Sequence, residues 1–106
     1  MAKIRKQIYI LSGFQVTEGH FRREVTLTFD NDLEAMMKMN SWADFLICDT
    51  FNLSEPQYNY NELLEKHGWS MERTDRKITI ITDKNDPNNN IARYFIDDDI
   101  VEIEIE

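Results

Sequence analysis

Apolar and polar residues alternate most regularly in two stretches of the chain. Between Phe21 and Phe29, Val25, Leu27 and Phe29 alternate with Glu24, Thr26 and Thr28; near the end, Val101, Ile103 and Ile105 alternate with Glu102, Glu104 and Glu106. A period of two puts one set on a buried sheet face and the other in water, so both stretches predict half-buried strands. Ile4 to Val16 is rich in Ile, Tyr, Phe and Val and also predicts a strand, with Ser12-Gly13 marking a bulge or bend. Thr17 to His20 reads as the turn that joins it to Phe21–Phe29 in a hairpin.

After Asp30 the period changes. Asp30-Asn31-Asp32 offers helix caps, and Leu33, Met36 and Met37 follow at helical spacing. Ser41 with Asp44 suggests a second, separately capped helical turn. From Phe45 onward the shared parity of Phe45, Ile47, Phe51 and Leu53 favours a strand, with Asp49 the exception. Ser54 to Gln57 reads as a loop. A helix then starts at Asn59 or Asn61, runs through Leu63, Leu64 and His67, and meets Gly68 where a left-handed cap belongs. Trp69–Glu72 and Lys77–Thr82 form a second predicted hairpin around Thr74-Asp75-Arg76. Asp83 to Asn90 is dense in turn formers. Ile91–Ile96 predicts a strand, Asp97–Asp99 a turn, and Ile100–Glu106 a last strand.

Runs of strands with separated helices predict a single α+β domain over residues 1–106, a largely antiparallel sheet of about five to six strands with two helices. Its expected core includes Val25, Leu27, Phe29, Ile103 and Ile105. The 106 residues suit one domain, and at this size folding hides roughly two-thirds of the unfolded surface. No apolar run approaches the ~18 residues that cross a bilayer. Ile8 to Leu11 is short of the ~7–15 apolar residues of a signal peptide. With Cys48 the sole cysteine, the expectation is a soluble, cytoplasmic protein in a reducing compartment.

Charge is strongly segregated along the chain. The formal net charge is −8, distributed as +4 over residues 1–23, −8 over 24–72, +2 over 73–96 and −6 over the last ten. Blocks of opposite sign either cancel inside the fold or form separate faces.

Few residues carry readable chemistry. Cys48 sits between Ile47 and Asp49, away from any cation that would favour its thiolate, and reads as a buried structural cysteine. His20 lies in the Glu18-Gly19-His20 turn and His67 closes a helix, where a histidine suits the helix dipole. Neither shares a zinc-type spacing with the cysteine. Asp30-Asn-Asp-Leu-Glu34 begins like a calcium loop, but Ala35 replaces the required glycine and Ser41 the closing glutamate; Asp83-Lys-Asn85 fails in the same way. Glycines 13, 19 and 68 are isolated, so no phosphate loop is present, and GxSxG is absent. The reading is therefore non-enzymatic, without metal or cofactor.

Two binding modes remain. Lys3, Arg5, Lys6, Arg22 and Arg23, with Tyr9, Phe14 or Phe21 as stacking rings, offer a nucleic-acid-binding or replication-accessory hairpin. The net charge of −8 repels a polyanion and argues against direct nucleic-acid binding. The acids point instead to a protein partner. On a strand, Glu102, Glu104 and Glu106 share a face at ~6.7 Å spacing, which approximates every second phosphate of a DNA strand at ~3.4 Å per charge. A solvated outer face that guards a sheet edge is the simpler account of the same pattern. The sequence matches no specific family; its size and acidity fall only within a broad class that includes many small phage-encoded inhibitors. The expected function is a protein-binding domain, in its most specific form an inhibitor of anti-restriction or anti-CRISPR type. It would mimic nucleic acid and occupy the basic groove of a nucleic-acid-binding protein. The candidate partner-binding residues are Asp97, Asp98, Asp99, Glu102, Glu104 and Glu106, followed by Asp30, Asp32 and Glu34.

Overall fold

The computed structural model describes residues 2–16, 22–82 and 90–105. The expected Thr17–His20 turn, Phe21, most of the Asp83–Asn90 loop and Glu106 lie outside them. The described chain is α+β: strands β1 (Ala2–Val16) and β2 (Arg22–Phe29), helices α1 (Asp32–Phe51) and α2 (Asn61–Lys66), then β3 (Ser70–Arg73), β4 (Lys77–Ile81) and β5 (Asn90–Ile105). The five strands form one antiparallel sheet in the order β2-β1-β5-β4-β3. The chain thus starts in the middle of the sheet and turns outward to β2. It crosses one face through both helices to β3 at the far edge and returns to the middle with β5.

Helix α1 begins as its sequence requires. Asn31 is extended, and its side-chain oxygen accepts a hydrogen bond from the Glu34 backbone N–H at 3.2 Å. Asp32 and Glu34 place negative charge on the positive end of the helix. No second cap forms at Ser41, and residues 45–51 are helix rather than strand. The deciding pattern is Ala35, Met39, Ala43 and Ile47, which recur every fourth residue and are all buried against the sheet. Parity among Phe45, Ile47, Phe51 and Leu53 cannot compete with that stripe, because no glycine or proline interrupts the chain between Asn31 and Glu55. Asn52 ends the helix in the left-handed region (φ 56°), with the Leu53 N–H donating to the Cys48 carbonyl at 2.9 Å. Helix α2 ends on Gly68 (φ 75°) as expected. The Trp69 N–H reaches the Leu64 carbonyl at 2.8 Å and the Gly68 N–H that of Glu65 at 3.1 Å, the double closure of a Schellman motif.

Three further expectations change. Ser12-Gly13 makes no bulge, since the β1 register runs unbroken against both neighbours. Gly13 is there because a Cβ would stand 2.6 Å from Cζ3 of Trp42 and 3.0 Å from Cδ1 of Tyr94. Asp97–Asp99 does not turn; β5 runs straight through, opposite Ile10, Tyr9 and Ile8. The core is built from α1, Leu11, Tyr60, Leu64, Ile78, Ile80, Tyr94 and Ile96. Val25, Leu27 and Phe29 are only half-buried, Ile103 is exposed, and the Ile105 side chain lies outside the description.

The molecule is elongated, 59 × 27 × 21 Å, with a radius of gyration of 16.6 Å, against ~13 Å for a compact domain of this length. The excess comes from β1 and β5. Strand β2 stops opposite Tyr9 and β4 starts opposite Phe95, so residues 2–8 and 99–105 continue as a two-stranded ribbon.

Candidate partner-binding surface

The register decides what becomes of the charge blocks. Residues 92, 94 and 96 of β5 face the helices, so by alternation Asp98, Glu102 and Glu104 share that side, while Asp97 and Asp99 take the other. Glu102 and Glu104 therefore do share a face. The pairing, however, sets Arg5 opposite Glu102 and Lys3 opposite Glu104. Arg5 Nε lies 3.8 Å from Glu102 Oε1. Lys6 Nζ holds Asp30 at 2.8 Å. Arg76 holds Asp32 at 2.6 Å and Asp98 at 3.2 Å, joining two acids remote in sequence. Its guanidinium also lies 5.6 Å from the Tyr9 ring centre. Exposed pairs of this kind contribute little stability, but they offset the field of the carboxylate row at short range. Among the described residues no base pairs with Glu34, Asp97 or Asp99.

The same pairing engages the proposed basic hairpin. Lys3 and Arg5 each face an acid across that register, Lys6 is engaged separately by Asp30, and the side chains of Arg22 and Arg23 lie outside the described set. Tyr9 and Phe14 are half-buried.

Unmatched acidity gathers on the helical layer. Residues 30–66 contain eight acids and only Lys38 and Lys66. Asp30 and Asp32 are paired, which leaves Glu34, Asp44, Asp49, Glu55, Glu62 and Glu65. Asp44 is tied into the structure as well: the Tyr60 hydroxyl donates to its Oδ1 at 2.7 Å and accepts from the Gln57 N–H at 3.1 Å. Burial, then the bond to Asp44, pushes the Tyr60 phenol up to about 12.

Sequence reading missed the outer face of α1. Leu33, Met37 and Phe45 are 62%, 63% and 72% exposed. With Ser41 they repeat every fourth residue, two positions before the buried Ala35, Met39, Ala43 and Ile47. Two positions on a helix are ~200° apart, so α1 bears apolar stripes on nearly opposite sides, one against the sheet and one in water. The signal was present in Leu33, Met36 and Met37, but helical spacing alone does not say which stripe is the core. Beside the outer stripe runs a groove of about 590 Å³, lined by Leu33, Met36, Met37, Phe45, Cys48 and Pro56, with Asp44 and Glu55 on its rim. A second depression of about 450 Å³ lies toward Gly13, Val25, Leu27, Trp42 and Tyr94 and meets the first at Ser41.

Cys48 is half-buried in that groove wall rather than enclosed. His67 Nδ1 lies 3.0 Å from the Leu63 carbonyl oxygen, and its ring packs 4.7 Å from that of Phe51. Among the described residues no three His, Cys, Asp or Glu side chains gather into a metal-sized cluster. Two buried hydroxyls, of Thr79 and Tyr94, have no hydrogen-bond partner among them. Burial drives the Tyr94 phenol well above its ordinary range. No described helix is long and apolar enough to cross a membrane.

Fold and surface together define a class: an antiparallel α+β domain with a helical layer on one face, bearing an apolar stripe among carboxylates. Searches of protein-family models, curated proteins and solved structures find no match to this chain.

Proposed function

We propose that this protein is a non-enzymatic protein-binding domain that offers an acidic surface to a basic partner. In its most specific form it is an inhibitor that occupies the basic groove of a nucleic-acid-handling protein, of restriction or CRISPR effector type. The observation that carries this reading is the uneven cancellation of charge. On β5, Glu104, Glu102 and Asp98 face Lys3, Arg5 and Arg76, whereas the acids of α1, α2 and the loop between them outnumber the bases there by seven to two. Glu34, Asp49 and Glu55 are exposed on that layer, within range of a docked cation despite screening over ~8–10 Å. Asp97 and Asp99 form a second patch, and Glu102 with Glu104 a third whose field is offset by β1.

The test is a captured partner titrated against duplex DNA and salt, using three variant sets. Reversal of Glu34, Asp49 and Glu55 to Lys should slow association by roughly tenfold or more and leave the fold intact. Reversal of Asp97, Asp99, Glu102 and Glu104 should have a smaller effect, and Arg22→Glu with Arg23→Glu little. DNA should compete with this protein for the partner. If the Arg22 and Arg23 variants lose binding while both acidic sets bind normally, the basic hairpin is the functional surface and mimicry is excluded.

A further inference from the structure

We infer that the outer stripe of α1 is a docking groove for a cationic amphipathic α-helix supplied by the partner. The inference rests on the proposal of a basic protein partner and specifies the segment that is recognised. A helix with apolar residues on two opposite sides belongs between two layers, and among the described residues the sheet covers one side while Leu33, Met37 and Phe45 stand in water on the other. Leu33, Met37, Ser41 and Phe45 span four successive turns at i, i+4 spacing, the geometry that receives another helix by ridge-into-groove packing. Ser41 is small and exposed between Met37 and Phe45, a notch into which a large side chain can insert, and both depressions of the surface open onto it. Met36 and Met37 supply flexible, polarisable contacts of the kind that accommodate varied apolar anchors. Charge selects the occupant. Glu34, Asp44 and Glu55 border the stripe and its groove, and Asp49 follows Phe45 one turn on, so these four acids outnumber the two described bases nearby, Lys38 and the Arg73 that reaches Asn40 on the groove wall. A second copy docked through the same face would bring two such acidic rims together, whereas lysines and arginines flanking an apolar helix face would meet them.

Two synthetic peptides of about 18 residues, close to the length of α1, test this. Both contain only Leu and Lys in equal numbers, one with leucines at i, i+3, i+4 and i+7, the other permuted to destroy that face. The native protein should bind the amphipathic peptide at least ~10-fold more tightly than the permuted one, with backbone amide NMR shifts centred on residues 33–48. Leu33→Ala/Met37→Ala/Phe45→Ala and, separately, Ser41→Trp should each weaken binding at least ~10-fold, with circular dichroism unchanged because all four positions are exposed. Equal, salt-sensitive binding of both peptides, unaffected in the variants, would overturn the groove and leave the acidic-surface proposal standing. Failure of both peptides to bind would count against both. A native dimer that the triple alanine variant converts to a monomer would assign the stripe to a second copy and also overturn the inference.

Discussion

Gly13 shows how one side chain can be selected by a neighbour far away in sequence. It lies in the middle of β1, a position where glycine costs conformational entropy and contributes no packing. Trp42 and Tyr94, whose rings are 5.6 Å apart, occupy the space its side chain would need. Gly13→Ala must displace the Trp42 ring, so it should destabilise the protein by about 1–3 kcal/mol through overpacking. Urea unfolding followed by tryptophan fluorescence measures this. An unchanged midpoint would mean that the half-buried Trp42 swings aside freely.

Among the elements, the connection from α1 to α2 hangs on Tyr60. Its ring is 1% exposed, its hydroxyl bonds Asp44 on α1, and its carbonyl accepts the first α2 bond from Leu64. Tyr60→Phe leaves a half-buried carboxylate and the Gln57 N–H without this partner, a loss of about 1–3 kcal/mol. The phenol also sets a pH dependence. Its affinity for the proton is raised in the folded state, from 10.0 to about 12, so the unfolded chain ionises first. The stabilisation is complete below the unfolded value and declines as pH climbs from about 10 through about 12. Denaturation midpoints measured from about pH 9 to pH 11.5 should therefore fall for the native protein, and less steeply for Tyr60→Phe.

For the whole molecule, the ribbon of residues 2–8 and 99–105 sets the shape. No described helix covers it, Ile4 and Ile103 are 46% and 39% exposed, and two strands alone are marginally stable in water. Its ladder amides at residues 3–7 and 100–104 should exchange with deuterium by local opening, on the order of 10-fold or more faster than those at 10–14 and 92–96. Equal protection across both regions would require something to cover the ribbon in solution. The ribbon also brings together the basic and acidic ends of the chain, which is why the terminal carboxylates present a weaker field than their count suggests.

Local signals were legible where local physics decides. Alternation in Val25–Phe29 and the Thr74–Arg76 turn marked both hairpins, the capping run Asp30-Asn31-Asp32 marked a helix start, and Gly68 a helix stop, because strand period, capping and positive φ are properties of a few adjacent residues. The α+β class and the antiparallel pairing follow from their order. Tertiary structure alone decided the rest. Residues 45–51 became helix because Ala43 and Ile47 extend a buried stripe defined by the sheet beneath it. Asp97–Asp99 stayed extended because β1 was available to pair with it and Arg76 to bind Asp98. The charge blocks cancelled along β1 and β5 and survived on the helical layer, an outcome fixed by a register between strands about ninety residues apart in sequence. The apolar stripe of α1 that faces water could be told from its buried counterpart only once the sheet had taken one side.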